Sequence, residues 1–470
     1  MKNLKSLLKP KVLFLSSVVL FLIIKLSQLS YKFSDGFTYM YMGNLVLEGL
    51  VPYKDFFLAN PPLQIYLMAL VQTLIGENFL LLKLIPLFAT IGSSFFIYGF
   101  MKRKFGDFQA LTASILFLFS FLILLTTDYS TGIHLTLFFT LGAIYFTGEE
   151  RAFFSGVFGS LALLTRIYAI FPLTGIGIYY LIYRREKFLS FSAGTLSIFF
   201  PVSLVFQIMS HGAYLDQIFF FRLNLVSGIG LSKLKIITFF ILRDLTLVLG
   251  TLLYLMFCKK RREMLIILAT GLSLILYTIY SDIYYLYFGL IIGFLAIFTT
   301  RFFFLFKELC HFKKILAIFL ILLVLINSYF YIENYGSNSE IVFTEDLVQF
   351  VKENSYENQT IYGSFEIAPL ISLLSNRRLA GNLADTNPKN VMTSTLTIKD
   401  LEEKISGVKF IIVKANVLPG GGITGFDAST PSEYINAHCI VSKVYSVEKD
   451  YSNNAVIIFD CGETKTSTQT

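Results

Sequence analysis

Long apolar runs separated by short basic clusters fill the first 335 residues. A helical span needs roughly 20 apolar residues to cross about 30 Å of hydrocarbon. On that measure the pattern predicts spans at 12–30, 79–101, 108–127, 131–147, 152–166, 168–183, 188–209, 236–257, 264–280, 283–300 and 315–332. The stretch 63–76, LQIYLMALVQTLIG, is apolar too, but as a helix it reaches only about 21 Å. The basic clusters decide its place. If it does not cross, Lys2 to Lys11, Lys102 to Lys104, Arg151, Arg184 to Lys187, Lys259 to Arg262 and Arg301 to Lys314 all fall on one side. That is the positive-inside pattern of cytoplasmic loops. The N-terminus is therefore expected in the cytoplasm, with 63–76 flat on the outer interface. The outer face then receives the loop 31–78, Asp128, Arg166, the loop 210–235, Asp282 and the whole tail.

The pattern changes near residue 334. Helix-like segments, EDLVQFVKEN and APLISLLSN, alternate with strand-like ones, QTIYGSF, KFIIVK, IVSKVYSV and NAVIIFD. The expected architecture is a polytopic all-α membrane bundle of about eleven transmembrane helices over 1–333. It carries an interfacial helix in the first outer loop and a C-terminal extracytoplasmic α+β domain over 334–470. The last two strands form a hairpin around Lys449 to Asn453. If residues summing to about 900 pair there, Cys439 faces Cys461, and an oxidising outer compartment permits a disulfide. Two free buried thiols are the alternative. Cys258 and Cys310 sit beside basic clusters, and no metal-type cysteine spacing occurs.

Composition agrees with the membrane reading. Of 470 residues 55% are hydrophobic and the mean hydropathy is +0.67. The net charge of +8 is unevenly spread. From Gly336 onward there are eleven Lys/Arg against sixteen Asp/Glu, so the tail is acidic and the bundle carries about +13. That excess lies in loop clusters and forms no basic stripe, so nucleic acid is not an expected partner. The chain reads as a multi-pass protein of the plasma (inner) membrane.

The first outer loop contains SDGFTYMYMGNLVLEGLVPYKDFFLANPPLQIYLMALVQTLIG. An acid follows the first span. An aromatic-rich helix, a G-x-x-P-Y-x-D-F turn, a Pro-Pro-Leu step and a short apolar helix come next. This order resembles the GT-C superfamily of membrane glycosyltransferases, in its family 39-like branch of protein O-mannosyltransferases and lipid A aminoarabinose transferases. TTDYSTGIHLTLFFTLGAIYF resembles the family's second outer-loop Asp leading into a span. SGVFGSLALLTRIYAIFPL resembles its small-residue-rich span ending in Leu-Thr and a cation. SDIYYLYFGL is a weaker echo of a Tyr-rich approach to a late span. The likeness covers about residues 31–185. The chain departs from the pattern at three points: Gly36 replaces a second acid, Asn60 a basic residue, and Arg166 a lysine.

The resemblance implies an inverting transfer of sugar from a polyprenyl-phosphate donor at the outer face. Its acceptor, whether protein, lipid or glycan, is not specified. A phosphate leaving group needs cations and hydrogen-bond donors, and the acceptor hydroxyl needs a base. Asp35 is the expected base, and Asp128 the second catalytic acid, orienting the acceptor or Arg166. Arg166, Asn60 and Lys54 are the expected phosphate-binding set, with Arg166 using its planar fork. Asp55, Tyr39, Tyr284 and Tyr285 are expected substrate contacts. No cofactor is required by this chemistry; a divalent cation at Asp128 is an addition it would accommodate.

Each residue has a plainer reading. Asp35 could cap the helix beginning at Phe37, and Asp128 the span at 131. Arg166 could snorkel, and Lys54 and Asp55 could form a solvated turn. Tyr284 and Tyr285 could be interfacial belt residues. Arg243 and Asp244, inside the span 236–257, do not face each other, so each needs a partner elsewhere; Lys25 is similar. His134 reads as packed. Gly420, Gly422 and Gly425 fit a dinucleotide-type spacing but lie in the outer tail, where a flexible loop is the better reading. The competing functions are a transporter or flippase of lipid-linked sugars, a polymerase or ligase of lipid-linked glycans, and a non-catalytic receptor.

Overall fold

A computed structural model describes residues 9–31, 33–76, 78–221, 233–257, 263–279, 283–308, 311–335, 339–393, 395–417, 423–427, 429–447 and 454–462. Cys258, Cys310, Asp282, Gly420 and Gly422 lie outside the described residues, as do the turn 449–453 and the basic cluster 259–262.

Helices stand where the apolar runs predict them. Among the described residues five are long and apolar enough to cross a bilayer: Pro10–Ser27, Phe79–Phe105, Arg185–Met209, Tyr285–Phe306 and Phe312–Glu333. The remaining apolar helices are shorter, among them Asp107–Leu118, Ile133–Gly148, Ala152–Thr165 and Ile167–Tyr183. Leu63–Ile75 forms the expected short helix of the first loop.

Two expected spans are not continuous. The run 108–127 breaks at Phe119 and Ser120 into Asp107–Leu118 and Phe121–Thr126. The run 236–257 is two helices, Lys233–Arg243 and Leu245–Phe257, bent by 88°. One residue links these breaks. The Asp244 carboxylate accepts the N–H groups of Phe121 and Leu122 at 2.8 and 3.0 Å, satisfying two orphan donors of the short helix. Hydropathy carries no signal for an acid that ends one helix in order to begin another.

Large apolar side chains such as Leu13, Val19, Ile23, Ile318, Ile321 and Leu325 point outward, as expected of a bundle solvated by lipid. Lipid tails are as apolar as leucine, so helices associate through close approach instead. Gly156 of Ala152–Thr165 and Gly194 of Arg185–Met209 lie so near the opposing backbone that neither position has room for a Cβ.

The tail is an α+β unit around a five-stranded sheet: β1 (Ile361–Gly363), β2 (Phe410–Val417), β3 (Ile423–Phe426), β4 (Ile440–Val447) and β5 (Asn454–Asp460). The order is β1-β2-β5-β4, with β1 parallel to β2 and β3 extending the same edge of β2. Strand β2 reads FIIV because both of its faces are buried. Phe410 and Ile412 pack toward Leu347, Leu370 and Ile371. Ile411 and Val413 pack toward Leu401, Ile435 and Ile457. In the β4–β5 hairpin Ile440 pairs with Asp460 and Val441 with Phe459 before a bulge. Cys439 and Cys461 are disulfide-bonded. Strand β3 and the helices Pro388–Met392, Ile398–Lys404 and Ser432–His438 were not among the predicted elements.

The tail sits on the loop between the first two long helices. Thr38 donates to the carbonyl of Phe365 at 2.9 Å, and the Leu379 N–H donates to the Tyr41 hydroxyl at 3.0 Å. Arg378 pairs with Glu48 at 2.6 Å.

Candidate active site

Helix Ala152–Thr165 ends because Arg166 adopts an extended backbone before a 3-10 turn, Ile167–Ala169. The break turns the guanidinium inward, where it is buried. Its Nε donates to the carbonyl of Thr131 at 2.8 Å, a bond that Nη2 reinforces. Nη1 donates to Asn60 Oδ1 at 2.6 Å, and Nη2 to the Tyr39 hydroxyl at 3.1 Å. Asn60 Nδ2 also donates to that hydroxyl, at 2.8 Å. Gly132, at φ +86°, makes the approach possible: a Cβ there would stand 3.3 Å from Arg166 Nε in a conformation L side chains avoid. One guanidinium thus fixes three separate segments, and its planar fork sets their mutual geometry.

Asp35 precedes helix Gly36–Leu47, yet its side chain does not cap it. Gly36 abuts Ser130, whose amide would lie 3.0 Å from any Cβ, so a side chain in place of Gly36 would crowd the second loop. The carboxylate instead faces a cavity of about 320 Å³. Removal from water pushes its pKa up to about 7 from the usual 3.8. The carboxylates of Glu366 and Asp385 push the same way, against the opposing pull of Lys389 and Arg166.

The structure brings Asp35, Tyr39, Asn60, Arg166, Tyr284 and Tyr285 to this one cavity. It places the other three expected residues elsewhere. Asp128 pairs with Lys25 at 2.9 Å and lies 3.9 Å from Lys83, and it does not line the cavity. Lys54 and Asp55 line an adjacent space of about 220 Å³ that shares Asp385 and Asn390 with the first. Asp55 also accepts the Val51 N–H at 2.7 Å, so its turn reading describes part of what it does. His134 is packed between Thr90 and Thr126, as its plainer reading has it.

The tail supplies what sequence reasoning missed. Phe365, Glu366, Asp385, Asn387, Lys389 and Asn390 complete the cavity wall, and Lys389 stands 4.7 Å over the Tyr284 ring. No sequence signal marks them, because their role depends on how the tail docks. Among the described residues no group of three or more His, Cys, Asp or Glu is arranged to hold a metal ion.

Residues 59–208 match the family described as dolichyl-phosphate-mannose-protein mannosyltransferase. No curated protein sequence matches significantly. Structural likeness extends over nearly the whole chain. ArnT from Cupriavidus metallidurans in the apo state superposes with a TM-score of 0.67 at 11% identity, covering 95% of this chain and 97% of that one. The chain has the GT-C fold. ArnT bound to undecaprenyl phosphate gives 0.66 at 11% identity and the same coverage. The GT-C protein AglB from Archaeoglobus fulgidus, in complex with an inhibitory peptide and a dolichol-phosphate, gives 0.54 at 10% identity over 86% of this chain and 69% of that one. That fold and these apolar helices are those of a multi-pass membrane protein. The motifs quoted from its first 185 residues supply Asp35, Tyr39, Asn60 and Arg166 to the cavity.

Proposed function

We propose that this chain is an inverting glycosyltransferase that moves a sugar from a polyprenyl-phosphate donor to an acceptor hydroxyl at the outer membrane face. The observation that carries the reading is the meeting of Asp35 and Arg166, 131 positions apart in sequence, on one cavity. Asp35, with a pKa of about 7, is poised as a general base for the acceptor hydroxyl. Arg166, held by Thr131, Asn60 and Tyr39, and Lys389 supply positive charge for the phosphate leaving group. The hydroxyl oxygen attacks the anomeric carbon as its proton passes to Asp35. The carbon–oxygen bond to phosphate breaks on the opposite face, which inverts the configuration. The phosphate departs on its lipid with the bonding pair.

In this reading all eleven apolar segments cross or re-enter the bilayer, Leu63–Ile75 lies along the outer interface, and the N-terminus is cytoplasmic. The tail roofs the donor site and forms one wall of the acceptor's approach. Cationic side chains carry the charge compensation, so a chelator should leave transfer intact. A test incubates membranes containing the protein with a panel of labelled polyprenyl-phosphate sugars, with and without chelator. One donor should be consumed with release of polyprenyl phosphate. A flippase would move label across the bilayer without that cleavage, and this outcome would overturn the reading.

A further inference from the structure

Arg243 is the last residue of Lys233–Arg243, directly before the 88° bend. Its neighbour Asp244 is committed to the amides of Phe121 and Leu122. Adjacent helical residues diverge, so Asp244 does not serve Arg243 as a counter-ion. The Arg243 guanidinium lies 5.0, 5.6 and 5.8 Å from the ring centroids of Phe121, Phe239 and Phe330. It forms no ion pair among the described residues. Aromatic faces hold a guanidinium in place but do not neutralise it.

Its height in the bilayer follows from two independent helices. Leu245–Phe257 is thirteen residues long, so its far end lies about 20 Å from the bend that follows Arg243. Asn327, on the facing wall, lies fifteen residues above Phe312 in the last helix, or about 22 Å. In hydrocarbon about 30 Å thick, and on the topology proposed above, on which this inference rests, both lengths put Arg243 in the outer leaflet below the headgroup level. A charge there is expensive unless an anion meets it.

Beside it is a crevice of about 290 Å³ whose walls include Arg243, Leu322, Leu323, Ile326 and Asn327. Leu322 and Ile326 are half exposed on the lipid-facing surface, so the crevice opens to the bilayer. Among the described residues its charged groups are Arg243 and Asp244, and the Asp244 carboxylate is turned onto the amides of Phe121 and Leu122. The guanidinium, which has no ion pair among those residues, is thus the charge left beside the apolar wall for an anion bearing an apolar chain to meet.

We propose that this crevice holds an anionic phospholipid, with its phosphate on Arg243 and one acyl chain along Leu322, Leu323 and Ile326. This site is separate from the cavity around Arg166, and the inference holds whatever reaction that cavity supports. The commitment to phospholipid follows from the opening onto the bilayer, where phospholipid is the abundant source of lipid phosphate.

The test uses full-length protein in a neutral detergent, exchanged against phosphatidylglycerol or phosphatidylcholine and read by native mass spectrometry. Native protein should retain phosphatidylglycerol over phosphatidylcholine by about tenfold, a difference of about 1.4 kcal/mol. Arg243→Gln should abolish the preference, and Arg243→Lys should keep most of it. Leu323→Trp, which fills the crevice and leaves the cation, should also lose bound lipid. Equal retention by Arg243→Gln, or no preference in the native protein, would overturn the proposal. So would Arg243-dependent binding of undecaprenyl phosphate with none of phosphatidylglycerol.

Discussion

Two clusters of charge in the helical part of the molecule are built on opposite plans. In the first, Lys25 donates to the carbonyl of Leu124 at 2.7 Å, to Asp128 at 2.9 Å and to the Tyr331 hydroxyl at 2.8 Å. An ammonium has three hydrogens, and all three are used. Lys83 adds a bond to the Ser30 carbonyl at 2.7 Å and stands 3.9 Å from Asp128. One carboxylate meets both cations, and the cluster ties the helix Pro10–Ser27, the segment after Thr126 and the helix Phe312–Tyr335 together. In the second, Arg166 is held just as firmly, but through neutral oxygens. Its charge is not cancelled in its own shell, and Asp35 faces the same cavity. A saturated ion pair fixes a fold, whereas charges fixed by neutral groups around a space can act on a ligand. Sequence alone named both as catalytic, Asp35 as the base and Asp128 as an orienting acid; their surroundings separate them further.

The comparison is broken most severely at Asp35. Asp35→Asn removes the base while preserving shape, and transfer should fall by a factor on the order of 10²–10⁴ in folded, membrane-inserted protein. Asp128→Asn should act in the other currency. Leaving Lys25 buried without its anion should cost about 3–5 kcal/mol of stability, read as a lower midpoint of thermal unfolding. The fraction that folds should keep its specific activity. If Asp128→Asn instead gave a stable, inactive protein, the division between the two clusters would fail.

Arg166→Lys keeps the charge and loses the fork that spans Thr131, Asn60 and Tyr39, and should reduce transfer by about 10². The pH dependence sharpens the same point. With Asp35 near 7, kcat/KM should fall about tenfold per unit on acidification below neutrality, as the base gains its proton. The stability contribution has the opposite sign. A carboxyl whose folded pKa lies above its unfolded value of 3.8 keeps its proton in the native state where the unfolded chain has lost it. Stability from this group therefore declines as pH rises from about 4 to about 7. Asp35→Asn should lack that decline, visible as a flatter unfolding midpoint across the window. Smallest of all, Arg378→Gln should cost less than about 1 kcal/mol, since its pair with Glu48 is exposed.

Much of this arrangement was legible in the sequence. Apolar runs and basic clusters located the helical segments, because hydrocarbon imposes a length and a charge bias that few other environments do. The order of an acid, an aromatic helix, a Pro pair and a span-ending cation pointed to Asp35, Tyr39, Asn60 and Arg166, which do converge. The pairing rule in the last hairpin brought Cys439 to Cys461. What was not legible depended on contacts between distant segments. Asp244 reads as an oddity in a span until Phe121 and Leu122 are seen to need acceptors. Nor does the sequence show that Asp128 is paired with Lys25, 103 residues away, and stands outside the cavity lining. Glu366, Asp385 and Lys389 carry no local pattern, since only the docking of the tail on helix Gly36–Leu47 brings them to the cavity.

Donor binding and sugar transfer measured side by side on Asp35→Asn and Arg166→Ala, in lipid nanodiscs with a labelled polyprenyl-phosphate sugar, test the central claim most directly. Asp35→Asn should bind the donor within about threefold of the native protein yet fail to transfer the sugar, and Arg166→Ala should lose binding. Native-rate transfer by folded Asp35→Asn, or undiminished donor binding by Arg166→Ala, would contradict it.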